Sequence, residues 1–151
     1  MFRGANKVTL DAKGRMAMPA RYRDTLVERS GGRLVATVDR SDKCLLIYPL
    51  PDWEEIERKL MRLPTLNPQS RRLQRLMVGH ATDLELDSHG RVLVPPKLRE
   101  YAGLTRQAML IGQGSRFELW DEQQWNERRD EWLQAGDETG ELPAELESLS
   151  L

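Results

Sequence analysis

The sequence predicts a mainly β chain with short helices, built from one β-β-α-β-β unit used twice. Three observations carry this reading. The chain matches itself at an offset of 76 residues. Apolar residues alternate with polar ones on both sides of two Asp-x-x-Gly-Arg turns, the two-residue period of half-buried strands. A proline follows each second strand, where its fixed φ suits the first turn of a helix.

In register, Ala5, Leu10, Asp11, Gly14, Arg15 and Pro19 recur as Ala81, Leu86, Asp87, Gly90, Arg91 and Pro95, and Arg23 matches Arg99. Farther on the offset is 72, pairing Leu45 with Phe117, Tyr48 with Trp120 and Trp53 with Trp125. The change falls around Ser30-Gly31-Gly32 and Asp39-Arg40-Ser41-Asp42, which are turn-like and tolerate insertion. Val8 and Leu10 with Met16 and Met18, and Leu84 and Leu86 with Val92 and Val94, read as one hairpin in each copy. An aspartate opening such a turn bonds its own following backbone, and a glycine three residues on supplies the positive φ of closure. Pro19 and Pro95 open helices over residues 20–26 and 96–101. Second hairpins are expected from 34–38 with 44–48 and from 108–111 with 117–120, and Gly112-Gln113-Gly114 reads as their turn rather than a phosphate cradle.

A helix should follow each unit. Trp53, Ile56 and Leu60 share one face of 52–61 with Asp52 as cap, and Asp121 caps an equivalent segment over 125–133. Residues 64–68 break the chain, and 69–78 form a linker helix with Arg71, Arg72 and Arg75 on a basic face. The expected organisation is a first repeat at 5–52, a helical linker at 53–80, a second repeat at 81–124, and a C-terminal helix with an acidic tail at 125–151.

Composition narrows the function. A chain of 151 residues with 39% hydrophobic residues suits one folded domain, and no apolar run approaches the roughly 18 residues of a membrane span. The first residues lack an apolar signal core and the single Cys44 cannot form an intrachain disulfide, so the cytoplasm is the simplest address. One Cys and two His cannot build a four-ligand Cys/His zinc site, and no H-E-x-x-H, Walker A or G-x-S-x-G pattern is present. No enzyme, metal, cofactor or small-molecule ligand is expected. Ser88 beside His89 reads as a turn, since neighbouring side chains usually diverge.

The net charge of −1 hides a division: residues 1–76 carry +7 and residues 77–151 carry −8. A polyanion-binding first half fits this asymmetry. Residues 136–151 hold five acidic side chains and no basic one, the composition of a frayed or docking tail.

Two Asp-x-x-Gly-Arg copies at Asp11–Arg15 and Asp87–Arg91, the opening Met1-Phe2-Arg3-Gly4, the Tyr48-Pro49-Leu50-Pro51-Asp52-Trp53 segment and Gly79-His80-Ala81 together make the chain resemble the MraZ family of bacterial transcriptional regulators. The resemblance covers nearly the whole chain and is weakest at the acidic end. The unit itself resembles the AbrB/SpoVT DNA-binding fold, in which two halves exchange hairpins to close a small barrel. The resemblance therefore implies an intrachain AbrB-like swapped-hairpin barrel, with both halves supplied by one chain. It also implies a nucleoid-associated repressor of its own division and cell-wall gene cluster, assembled as a ring on direct DNA repeats.

The residues add a site. The first 25 positions carry +4, and the first hairpin tip presents Lys13 and Arg15 around Gly14 and Asp11, with Arg3, Lys7, Arg21 and Arg23 near in sequence. A two-stranded ribbon fits the major groove, where an arginine fork takes both acceptors of a guanine and a lysine neutralises phosphate. Arg15 is the expected base reader, with Lys13, Arg3 and Lys7 on the backbone. An Asp11–Arg15 ion pair that merely stiffens the turn is the competing reading, and the two can coexist. The second copy, Asp87, Gly90 and Arg91, lies among Asp83, Glu85 and Glu118 and has His89 in place of Lys13, so it is expected to complete the barrel and to interact with neighbouring subunits. The alternative function is an AbrB-like antitoxin or protein-binding module that uses the acidic tail to hold a partner.

Overall fold

The computed structural model describes residues 1–135 and 144–149. The first repeat contributes β1 (Phe2–Thr9), β2 (Arg15–Ala17), α1 (Ala20–Ser30), β3 (Arg33–Val38) and β4 (Leu45–Pro49). After α2 (Leu50–Met61) and α3 (Pro68–Leu73), which runs into a π-helical turn (Gln74–Val78), the second contributes β5 (Thr82–Glu85), β6 (Arg91–Leu93), α4 (Pro96–Tyr101), β7 (Gln107–Gly114) and β8 (Arg116–Asp121). The described part ends with α5 (Glu122–Ala135) and α6 (Ala144–Glu147). None of the described helices is long and apolar enough to cross a membrane.

The chain is mainly β with short helices, and the strands pair antiparallel in an order that interleaves the repeats. Six of them run β1-β7-β8-β4-β3-β5, and β2 pairs with β6 in a separate two-stranded ribbon. Only the second hairpins, β3–β4 and β7–β8, pair within their own repeat. The first hairpins differ from the sequence expectation: β1 lies on β7, β5 on β3, and the contact of β1 with its own return strand is a single bridge, Leu10 to Met16. Past the tip, the return strand must send Met16 and Met18 inward. Its backbone groups then find partners on the equivalent strand of the other repeat. Met18 N–H donates to Gly90 O and Val94 N–H to Gly14 O, both at 2.9 Å.

The pairing is two-fold in character. Met16 faces Val92 at the centre of the ribbon, and Leu46 faces Glu118 at the centre of β4–β8, each pair joining equivalent positions of the repeat. Val8, Leu10, Met16, Met18, Leu84, Val92 and Val94 accordingly bury themselves in one core, with Leu86 packed against it. Phe117 sits within it, its ring 4.3 Å from Phe2 and 5.0 Å from Tyr22. β3 and β4 are apolar on both faces because both are covered. Leu34, Ala36, Leu45 and Ile47 face that core, while Val35, Leu46 and Tyr48 take Trp53 and Leu60 of α2. A third cluster joins Cys44, Ile111 and Trp120 to Trp125 of α5.

The helices depart from the sequence reading in detail. α1 runs to Ser30 and closes at Gly31, whose N–H returns to Val27 O. α2 starts before Asp52, behind Pro49, so Asp52 does not cap it but forms an ion pair with Arg29 of α1. Asp121 does cap α5, accepting from Gln124 N–H at 3.2 Å. The 112–114 segment is the end of β7, with Gly114-Ser115 as a two-residue hairpin loop between the paired Gln113 and Arg116. Most of the acidic stretch at 136–151 lies outside the described residues.

Because four of the six strand pairings join the repeats, neither residues 1–76 nor 77–151 should fold alone. Each fragment should lack a cooperative thermal transition by circular dichroism, and co-expression should restore one. A cooperative melt of the isolated first half would contradict the shared core.

Candidate nucleic-acid interface

Each tip is built by one carboxylate. At the first, Asp11 Oδ1 accepts the N–H groups of Lys13 (3.0 Å) and Arg15 (2.9 Å), and Oδ2 accepts Arg15 Nε–H at 2.9 Å. At the second, Asp87 Oδ1 accepts from His89 (2.8 Å) and Arg91 (2.9 Å), and Oδ2 takes Arg91 Nε–H at 3.1 Å. The backbone N–H of Arg15, followed by its side chain and the Lys13 N–H, holds the Asp11 carboxyl below the usual aspartate value. Asp87 is held down in the same way, first by the backbone N–H of Arg91. Clasping Nε fixes the guanidinium plane, while Nη1 and Nη2 of Arg15 and Arg91 bond nothing among the described residues. A fork fixed at its stem and open at its prongs is a bidentate donor.

Sequence reading missed a residue at each tip. Arg99 of α4 donates from Nε to Val94 O at 3.0 Å, and its guanidinium lies against Gly14 of the opposite repeat. Arg23 of α1 does the same from its side, donating to Met18 O at 2.7 Å and lying against Gly90. A Cβ on Gly14 would come within 2.5 Å of Arg99 Nε, and φ there is +88°, so only glycine admits both the turn and the crossing arginine. The Arg23–Arg99 match in the repeat was the available signal. It does not reveal that each arginine serves the other copy's tip. At the first tip an open hollow is lined by Asp11, Ala12, Arg99 and Arg106.

The other expected residues are dispersed. Arg3 lies on β1 seven residues before Leu10, about 23 Å along an extended chain, so it does not join the tip. Lys7 forms a 3.2 Å ion pair with Glu122 of α5. Arg21 is drawn onto β1, its Nη2 donating to Asn6 Oδ1 and to the Tyr22 hydroxyl. Asp83 and Glu85 are exposed on β5, whereas Glu118, expected beside Arg91, lies with Asp39 and Cys44 and accepts from the Trp120 indole. Ser88 and His89 do not diverge: Ser88 Oγ meets His89 Nδ1 at 3.3 Å on the exposed second tip.

A family model described as "MraZ protein, putative antitoxin-like" matches residues 1–76 and again 77–141. The chain belongs to the MraZ family. Relatives named "Transcriptional regulator MraZ" match over 100% of both chains: 59% identical in Halorhodospira halophila, 62% in Thioalkalivibrio sulfidiphilus and 58% in Pseudomonas aeruginosa. The two matched stretches of the MraZ model each contain one Asp-x-x-Gly-Arg tip.

A depressed carboxyl pKa means that the tip's carboxylate contacts are complete above the unfolded value, about 3.9, and are lost as pH falls through the lower folded value. In an NMR titration the side-chain carboxyls of Asp11 and Asp87 should have midpoints below that of an exposed aspartate. Arg15→Ala should raise the Asp11 midpoint and leave Asp87 unchanged. A normal midpoint for Asp11 in the intact chain would contradict the clasp.

Proposed function

We propose that the chain is a sequence-specific DNA-binding transcriptional regulator that represses its own division and cell-wall gene cluster, as a ring-shaped homo-oligomer on direct repeats upstream of its promoter. The observation that carries the reading is the first tip: an arginine fork pre-oriented by Asp11, with Lys13 exposed beside it and Arg99 against Gly14. Arg15 reads guanine, Lys13 and Arg99 neutralise phosphate, and Asp11 and Gly14 shape the tip. Arg3 and Lys7 remain backbone contacts outside the tip. Orienting the fork before DNA arrives lowers the ordering cost of binding. The second motif, Asp87, Gly90 and Arg91, has the same clasp and serves as the weaker reader, with exposed Asp83 and Glu85 on the preceding strand.

On this reading, residues 5–52 and 81–124 are the two halves of one intrachain swapped-hairpin barrel of AbrB type, which the β1–β7, β3–β5 and β2–β6 pairings support. Residues 53–80 are the linker and 125–151 the C-terminal helix and acidic tail. The site of action is the cytoplasm, at the nucleoid.

Arg15→Ala should weaken binding to the upstream DNA by about 5- to 150-fold per engaged tip, with little change in thermal midpoint, because the pair it removes is exposed. Lys13→Ala should weaken all sequences alike and reduce the salt slope by about one. Unaltered specific binding by Arg15→Ala would overturn the assignment.

One or two base-reading side chains per tip give poor single-site affinity, so useful affinity must come from several tips engaged at once. Inserting about five base pairs between two repeats turns the second groove face away, whereas about ten returns it. Gel shifts should show a much larger loss for the first insertion. Equal losses, or equal affinity for one repeat and a tandem array, would exclude the ring mechanism.

A further inference from the structure

Residues 58–82 contain Arg58, Lys59, Arg62, Arg71, Arg72 and Arg75 and no acidic residue. Arg62, Arg71, Arg72 and Arg75 are exposed, and their side chains make no ion pair or hydrogen bond among the described residues. The segment is firmly held. The Thr37 hydroxyl donates to Met77 O inside the π-helical turn, and Gln74 Nε2 donates to Leu60 O at 2.8 Å. Asn67 caps α3 by accepting from Gln69 and Ser70 N–H. Between α3 and the turn after β3 lies an open cleft lined by half-buried Leu63, Leu73 and Leu76 and by exposed Arg40 and Arg72.

The far end of the chain has the complementary chemistry. Asp137, Glu138, Glu141, Glu145 and Glu147 lie in a stretch without a basic residue that also carries Leu142, Leu146 and Leu149. Leu146 and Leu149 are exposed, so in this chain they are not seated in the leucine-lined cleft.

We propose that the cleft of α3 is a docking site for the acidic leucine segment, residues 141–151, of a second copy of this chain. The tail's leucines pack on those of the cleft and the glutamates meet Arg40 and Arg72. A phosphate backbone would use the arginines and leave the leucines wet, which is why the observations favour a peptide over DNA. Eight residues, 136–143, separate α5 from α6, a chain length of at most about 29 Å. Such a contact joins unlike surfaces, so each copy can give one tail and receive another.

The test uses full-length chains carrying either Gln69→Cys, in the cleft, or Ser148→Cys, on the tail, Cys44 being buried. Mixed under oxidised glutathione, they should give a covalent heterodimer at least about tenfold faster than Ser148→Cys with the exposed control Glu28→Cys. Adding Arg72→Glu to the cleft partner should slow the reaction, and Glu145→Arg on the tail partner should restore it. Salt near 1 M, where the screening length is about 3 Å, should slow it as well. A rate equal to the control would overturn the proposal. So would a chain carrying both Gln69→Cys and Ser148→Cys that closes its disulfide only within itself and gives no covalent dimer. A third contrary result is Arg71→Gln with Arg72→Gln and Arg75→Gln lowering DNA affinity while cross-linking is unchanged, which would assign the surface to nucleic acid.

Discussion

Everything in this molecule depends on the short ribbon in which Met16 faces Val92. Each return strand is only three residues long, too short to hold a hairpin against its own outgoing strand. By pairing with its counterpart it satisfies its backbone and drives Met16, Met18, Val92 and Val94, all with 1% exposure or less, into one core. The crossing brings the start of α4 under the first tip and the start of α1 under the second, and Gly14 and Gly90 leave room for Arg99 and Arg23 there. A hairpin pairing with itself would have placed neither arginine.

The Asp-x-x-Gly-Arg element then solves a local problem twice. Both tips are exposed, and exposed tips lose order easily. Asp11 supplies order without burial: one oxygen closes the turn on two amides and the other fixes the arginine at Nε. An exposed ion pair of this kind adds little to stability. Its value lies in restricting where the two remaining nitrogens point.

Local chemistry was legible in the sequence, and long-range pairing was not. The Asp-to-amide turn follows from residue type and spacing alone, and so do the Pro19 and Pro95 helix starts, the Asp121 cap and the second-hairpin strands near 34–38 and 44–48. The repeat itself was visible because Leu10, Gly14, Arg15 and Pro19 return in register. Period-two alternation, however, says which face of a strand is buried and nothing about which strand lies beside it. For that reason β1 and β2 read as partners although β1 lies on β7. Asp52 misled for a related reason: with Pro49 in front, the helix begins earlier, and the carboxylate is left to reach Arg29.

The same interleaving changes what the charge asymmetry means. Dividing the sequence at residue 76 yields a basic and an acidic half, yet the fold does not keep them apart. Lys7 from the basic half meets Glu122 from the acidic one, Asp42 meets Arg128, and Arg99 of the acidic half sits against Gly14 at the first tip. A polyanion approaching that tip therefore feels cations drawn from both repeats, and the sum over either half is a poor guide to the local potential. Exposed charge that meets no ion pair among the described residues gathers along 62–75, at Arg62, Arg71, Arg72 and Arg75, a stretch with no acidic residue. Two ion pairs cross the repeat boundary, and none among the described residues reaches Arg62, Arg71, Arg72 or Arg75, so the interleaving that balances the first tip leaves this surplus in place.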